Sequence, residues 1–148
     1  MIHNDRHCAF WNQSGVAVDH NLFEIICDFP FVAWGFLATT LQLITRELYG
    51  RSNLGEGALK TEGIDILRFY LLQPTAFSES HIRRLREAFD SLAKRPTLSV
   101  ETEIYQPDRR ALDDVLFDVL GLTPGEREAV YEAVVNLVRA RLEKARSV

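Results

Sequence analysis

The sequence predicts an α+β protein: a small mixed β-sheet with a buried helix, followed by a C-terminal antiparallel helical hairpin. Residues 1–28 are rich in the β-branched and aromatic side chains that favour strands. Apolar residues between 31 and 49 recur at helical spacing. Two more helical patterns follow residue 107 and are separated by about three residues, so the second helix should return along the first.

The N-terminal region predicts strands and then one long helix. The stretches "HCAFW" and "GVAVDHNLFEIICD" read as strands, and "NQSG" as the turn between them. Pro30 suits a first helical turn, and the helix should run without a break from Phe31 to Tyr49 and stop at Gly50. Its apolar stripe consists of Leu37, Leu41, Ile44 and Leu48.

The middle of the chain predicts a strand and a helix. The stretch "DILRFYLLQP" reads as a strand that ends at Pro74. Ser78 or Ser80 should cap the next helix, which Pro96 ends. Its buried stripe is Ile82, Leu85, Phe89 and Leu92. The stretch "TLSVETEIY" then predicts a short strand or an extended link.

The C-terminal helices carry clear end signals. Gly121 should end the first, and "TPGE" should start the second as a capping box in which Thr123 and Glu126 lie three residues apart. The first apolar face is Leu112, Val115, Leu116, Val119 and Leu120. The second is Val130, Val134, Leu137, Val138 and Leu142.

Composition limits the class of protein. Apolar residues make up 47% and charged residues 26%, as in soluble globular domains. The most apolar stretch, Phe29–Ile44, is shorter than the roughly 20 residues that a membrane span needs, so no membrane partner is expected. Cys8 and Cys27, without a signal peptide before them, indicate free thiols and a cytoplasmic location. The net charge of −4 does not indicate a nucleic-acid-binding protein. Residues 97–132 are strongly acidic, so a polyanion would avoid them.

No catalytic or metal-binding motif is recognisable. The glycines lack the G-x-G-x-x-G and P-loop patterns in the required strand-to-helix context. "DFPF" (28–31) only half imitates the catalytic motif of amino-methyltransferases. His3, His7 and Cys8 lie close together but show no C-x-x-C or H-E-x-x-H spacing, so no metal site is predicted. No nucleophile and base can be paired by spacing, and no catalytic residue is assigned.

The stretch "YGRSNLGEGALKTEGID" (49–65) is the main candidate site. It combines polar donors with glycines, which let main-chain N–H groups approach a ligand closely. Arginine and asparagine can pair bidentately with base edges. The donors are Arg51, Ser52, Asn53 and Lys60, and the glycines are Gly50, Gly55 and Gly57. The same composition also fits a structural turn with solvated charges, and spacing alone leaves both readings open.

A family resemblance favours the first reading. "VAVDHNLFEI", an apolar helix ending "RELYG", the loop "RSNLGEGALKTEGID" and then "LLQP" resemble the C-terminal target-recognition region of adenine-N6 DNA methyltransferases, including fused restriction-modification enzymes. Residues 50–60 match that family's G-R-x-N-L-G-x-G-A-L-K loop almost throughout. The tail "DRRALDDVLFDVLGLTPGEREAVYEAVVNLVRARLEKA" also looks like the end of such proteins.

The resemblance implies DNA target recognition rather than catalysis for this chain. It makes residues 1–96 a partial target-recognition domain and residues 97–148 a C-terminal linker and helical hairpin. Double-stranded DNA and a methyltransferase catalytic domain or subunit are the implied partners, and S-adenosylmethionine belongs to that catalytic part. The implied DNA-binding residues are Arg51, Ser52, Asn53, Gly55, Gly57 and Lys60.

The rival hypothesis is a protein–protein docking or dimerisation module. Its C-terminal helices would dock on the catalytic part or on a second copy of the chain, and the glycine-rich loop would be only structural. A DNA face should gather Arg51, Lys60 and Arg68, with Arg83, Arg84 and Arg86 beside them. A docking module should instead expose an apolar stripe on residues 108–146.

Overall fold

The protein is mostly helical in a computed structural model that describes residues 2–3, 5–19, 22–52 and 57–147. These ranges contain seven α-helices, one 3-10 helix and two strands of two residues. The α-helices are α1 (Pro30–Leu37), α2 (Thr40–Tyr49), α3 (Gly63–Ile66), α4 (Glu79–Leu92), α5 (Val100–Glu103), α6 (Pro107–Leu120) and α7 (Pro124–Arg146). The strands β1 (Ile2–His3) and β2 (Leu59–Lys60) pair antiparallel, and the 3-10 helix is Pro74–Ala76.

The predicted small mixed sheet is therefore wrong, and the N-terminal region gives the reason. Residues 5–19 and 22–28 form no regular strand, although their composition favours one. A strand is stable only when its backbone groups find a partner and its side chains a surface to cover, so β-propensity depends on context. Single contacts tie this region to the helices instead, such as the hydrogen bond that Trp34 Nε1 donates to the carbonyl of Ala9 at 2.9 Å.

The single helix predicted for residues 31–49 is two helices. It breaks at Thr39, whose hydroxyl donates to the carbonyl of Phe36 at 2.7 Å and caps α2. The N-terminus of α2 faces Asp113 of α6, which accepts hydrogen bonds from the backbone N–H of Thr40 at 2.8 Å and from its hydroxyl at 2.6 Å. A carboxylate at a helix N-terminus compensates the helix dipole, so a residue 73 positions away stabilises the break.

The strand predicted for residues 65–74 is also wrong. Its first two residues belong to α3, and an irregular segment leads from there to the 3-10 helix. Asp65 turns the chain, because its carboxylate accepts a hydrogen bond from the backbone N–H of Glu62 at 3.0 Å in a capping box. Residues 97–105 are likewise not a strand, since they contain α5.

The end signals of the longer helices are confirmed. Ser78 caps α4, Gly50 caps the end of α2, and Thr123 with Glu126 forms the capping box of α7. Gly121 ends α6 with a φ of 69°, a left-handed conformation that favours glycine.

The C-terminal helices α6 and α7 contact each other, as at Phe117 and Tyr131, but they do not pack apart from the rest of the chain. A three-residue link joins α6 to α7, but α6 packs most extensively on α4, and α7 on α2. One apolar cluster joins Phe31, Trp34 and Leu85 to Leu112 and Leu116. The other cluster comprises Leu43, Val100, Ile104, Phe117, Tyr131, Val134 and Val138. Both clusters draw on the two sides of residue 96, where the sequence predicts a domain boundary.

None of the helices described is both long enough and apolar enough to cross a bilayer.

Candidate functional site

The base of the glycine-rich loop is a short antiparallel bridge between Arg51 and Lys60. The backbone N–H of Arg51 donates to the carbonyl of Lys60 at 2.8 Å, and the N–H of Lys60 donates back at 2.9 Å. Residues directly opposite each other on an antiparallel ribbon project their side chains from the same face. The two cations are therefore fixed side by side, one before and one after the glycine-rich stretch.

Glu62 forms ion pairs with both of these cations. Its carboxylate lies 3.0 Å from Arg51 Nη1 and 3.0 Å from Lys60 Nζ. The hydrogen bond from Lys60 and the charge of Arg51 lower the pKa of Glu62. The side chains of Arg51 and Lys60 remain 46% and 43% exposed. Ion pairs this exposed contribute little to stability, so other anions can compete with Glu62 for the cations.

Asp65, unlike Glu62, is buried and hydrogen-bonded to the backbone. The residue is 2% exposed, and its carboxylate accepts from the backbone N–H of Glu62 and lies 3.4 Å from Arg51 Nη2. The hydrogen bond from Glu62 is the main cause of its lowered pKa, and Arg51 lowers the pKa further. Asp65 thus orients Arg51, while Glu62 faces solvent.

Gly57 anchors the far side of the loop to the body of the protein. It adopts a φ of 71°, and a Cβ at this position would lie 3.0 Å from Leu142 Cδ2 and 3.2 Å from Ala145 Cβ. Its carbonyl accepts a hydrogen bond from Arg141, and this guanidinium also pairs with Glu47 at 2.8 Å and 2.9 Å. The predicted glycine is therefore required by the packing of the loop against α7, which sequence reasoning missed because the partners lie 84 and 94 positions apart in the chain.

The remaining predicted site residues divide into two groups. Ser52 is exposed next to Arg51, whereas Asn53 and Gly55 lie outside the described residues. Arg68 sits 5.8 Å from the ring of Tyr49.

Two of the arginines on α4 have partners of their own. Arg84 pairs with Asp118 at 2.6 Å, and Arg86 lies 4.8 Å from the ring of Phe31. Arg83 is exposed.

The apolar stripe that the docking hypothesis requires on residues 108–146 is used inside the protein. Leu112, Val115 and Leu116 of α6 are fully buried, as are Val134 and Val138 of α7. Among the large apolar residues described as exposed, Leu120 alone falls in this range. Apart from Leu48 and Tyr105, the others lie in the N-terminal region or in and just after α3, at Phe10, Val16, Val18, Leu22, Phe23, Ile25, Ile26, Phe29, Ile64, Leu67, Tyr70 and Leu71.

Metal-ligating side chains do not converge in the part of the chain that the structure describes, where no three of His, Cys, Asp and Glu could hold an ion together. Cys8 and Cys27 are both free thiols. Comparisons of the chain with protein-family models, with curated proteins and with solved structures return no match.

Proposed function

We propose that this chain recognises a DNA target as the C-terminal part of an adenine-N6 DNA methyltransferase or of a fused restriction-modification enzyme. The observation that carries the proposal is the pair of half-exposed cations, Arg51 and Lys60, fixed side by side at the base of a loop whose sequence resembles that family's. Phosphate contacts of this kind orient a protein on the duplex without reading its sequence.

DNA binding would proceed by exchange of anions. A backbone phosphate replaces Glu62 on both cations, because the exposed ion pairs are weak and phosphate contacts release counterions from the duplex. Asp65 keeps its contact with Arg51 during the exchange, so the guanidinium stays oriented. Glu62 therefore acts as a built-in competitor of DNA.

Sequence reading falls to the loop. Asparagine pairs bidentately with adenine in the major groove, so Asn53 is the proposed base-reading residue, and Ser52 and the loop glycines Gly55 and Gly57 are proposed to lie near the groove. Methyl transfer belongs to the catalytic domain or subunit, which supplies S-adenosylmethionine, and this chain alone is proposed to be inactive. The proposed setting is the cytoplasm, and a second copy of the chain is a further proposed partner.

The test measures binding of duplex DNA by the complete enzyme, or by this chain with the catalytic part supplied, as a function of salt. Arg51→Ala and Lys60→Ala should each weaken binding to all sequences and reduce the salt slope by about one. Glu62→Gln should strengthen binding, because it removes the competing charge. Asn53→Ala should instead relax discrimination at one base pair by about 1–3 kcal/mol.

Arg139→Ala is the matched control, because this exposed arginine forms a similar ion pair with Glu101 on another part of the surface. It should leave affinity and salt slope unchanged. Unaltered binding in well-folded Arg51→Ala, Lys60→Ala and Glu62→Gln variants would reduce the loop to a structural turn.

The exposed apolar side chains favour docking on the catalytic part as a second function, through a different surface from the one the sequence indicated. Ile26 is 89% exposed and Leu67 is 85% exposed, whereas the C-terminal helices bury their apolar faces. Ile26→Ser and Leu67→Ser should weaken the affinity for a separately produced catalytic part without altering DNA contacts. An unchanged affinity, measured by calorimetry, would exclude this surface.

A further inference from the structure

A cavity of about 240 Å³ lies between the N-terminal region, α1 and the segment after α3. Its walls are mainly aromatic and aliphatic, and include Trp11, Phe23, Trp34, Leu37 and Phe69. Two charged residues line it, Arg46 and Glu24. Glu24 is exposed, whereas Arg46 is buried with 4% of its surface exposed. The cavity thus combines apolar walls with one buried cation.

Arg46 carries a charge that the fold does not balance. No carboxylate among the described residues acts on its charge, and its Nε is buried without a hydrogen-bond partner. Burial lowers its pKa to about 10, which leaves the guanidinium charged at neutral pH. An isolated buried charge is expensive, whereas one paired through hydrogen bonds is tolerated.

His7 orients this arginine without neutralising it. Nη1 of Arg46 lies 2.8 Å from Nδ1 of His7, and Nε2 of His7 lies 3.0 Å from the carbonyl of Leu37. A guanidinium can only donate and a carbonyl can only accept, so His7 accepts at Nδ1 and donates from Nε2–H. The ring is therefore a neutral imidazole in one tautomer, and it holds Arg46 in place while adding no negative charge.

We propose that this cavity is a binding site for a small monocarboxylate with an apolar, preferably aromatic, body. The carboxylate would pair with Arg46, whose planar guanidinium suits carboxylate geometry. The apolar body would pack against the two tryptophans, which both line the cavity. A dianion such as a phosphate monoester is disfavoured, because the cavity is lined by a single arginine and also by the acidic Glu24. The volume lies below the roughly 300–1,000 Å³ of sites for drug-sized ligands, which limits the occupant to a small molecule.

The two tryptophans give a direct readout that does not depend on DNA binding. Trp11 and Trp34 are the only tryptophans in the chain, and both line the cavity. Titration of the full chain with 3-phenylpropionate should change the intrinsic fluorescence in a saturable way and raise the melting temperature, as binding to the folded state requires. The alcohol 3-phenylpropanol and the amine 3-phenylpropylamine, which share the body but not the anion, should bind at least tenfold more weakly.

Two variants separate the parts of the site. Arg46→Met keeps a side chain of similar length without the charge, and should lower affinity for 3-phenylpropionate by about tenfold or more while leaving the alcohol unaffected. Ala33→Phe fills the cavity, which Ala33 also lines, and should abolish binding of both while Arg46 stays in place. Arg139→Met, an exposed arginine on α7, is the matched control and should change nothing.

Three results would overturn the proposal. The first is equal affinity for the acid and the alcohol, and the second is a folded Arg46→Met variant that binds the acid as wild type does. The third concerns N-acetylglutamate amide, which carries a carboxylate without an aromatic body, as a partner's glutamate side chain would. Equal binding of that probe would mean that the apolar walls contribute nothing.

Discussion

The C-terminal helices and the N-terminal region use their charged and apolar side chains in different ways. In the C-terminal helices, ion pairs connect α6 to α7. Arg127 lies 3.0 Å from Asp114 and 2.7 Å from Asp118, and Arg110 pairs with Glu128 at 2.6 Å. In contrast, residues 7–45 contain no lysine or arginine at all, and residues 22–29 are exposed throughout although five of these eight residues are large and apolar. The C-terminal helices pair their charged side chains within the protein, whereas the N-terminal region leaves apolar side chains exposed to a binding partner.

The junction of α4, α5 and α6 is the best example of charges that are paired within the protein. Arg95 forms a fork to Glu103 at 2.8 Å and 3.0 Å and to Asp108 at 2.6 Å and 2.7 Å. Glu103 also accepts from Arg109 at 3.2 Å and from the backbone N–H of Leu98 at 2.9 Å. One network thus links the segment after α4 to α5 and α6, and each of its two carboxylates accepts at least three hydrogen bonds. Nothing comparable fixes residues 22–29.

The largest effect on stability is expected from the truncation of a core side chain in the C-terminal helices. Leu116→Ala should lower the free energy of unfolding by roughly 2–5 kcal/mol, because Leu116 is fully buried against α4 and its loss leaves a cavity. Ile26→Ala, at the exposed position of the other region, should cost less than about 0.5 kcal/mol. Urea melts of both variants measure the difference, and similar losses would erase the contrast between the regions.

The next effect comes from the Arg95 network and depends on pH. Burial raises the pKa of Glu103, but the hydrogen bonds from Arg95 and Leu98 outweigh it and the pKa is lowered; the fork from Arg95 is the main cause of the lowered pKa of Asp108. Stability from a lowered carboxyl pKa is present above the unfolded-state value, near 4, and is lost as the pH falls through the folded-state value. Arg95→Met should therefore cost about 2 kcal/mol at pH 7 and flatten the decline of stability below about pH 4.5.

Chemical unfolding at several pH values between 3 and 7 checks this, with Arg139→Met as the control for an exposed arginine. A variant that loses stability equally at pH 7 and pH 3 would show that Arg95 acts through packing and not through the two carboxylates.

The smallest effect concerns a helix end. The hydroxyl of Thr123 accepts from the N–H of Glu126, and the Glu126 carboxylate accepts from the N–H of Thr123 at 2.8 Å. Thr123→Ala should cost about 1 kcal/mol, whereas Thr123→Ser keeps the cap and should be nearly neutral. Thermal melts by circular dichroism distinguish the two variants. Equal melting temperatures would mean that α7 is held by its packing on α2 alone.

Local signals in the sequence predicted what local physics decides. The caps at Ser78 and Thr123 and the end at Gly121 require only neighbours within one turn, so they could be read directly. The strand signals failed because composition indicates that a segment fits a sheet, but not that a sheet exists. The break at Thr39 depends on Asp113, a partner that no pattern around residue 39 reveals.

The candidate site divides in the same way. Arg51 and Lys60 could be singled out as donors on a glycine-rich loop, and the structure leaves both half-exposed. The carboxylates that pair with them, Glu62 and Asp65, lie within the candidate stretch but were not among the predicted DNA-binding residues, because their role depends on how the chain turns after Lys60. Arg46 and its cavity left no signal, since one arginine in an amphipathic helix looks like any exposed one.

The contact between Arg141 and the loop also sets an order of events during synthesis. The carbonyl of Gly57 and the carboxylate of Glu47 emerge from the ribosome some 84 and 94 residues before the guanidinium that joins them. Closing so long a segment carries an entropic cost, which is offset only when the helices pack together. The glycine-rich loop therefore acquires this anchor only after α7 has been translated as far as Arg141, and a chain that stopped before Arg141 would lack the contact.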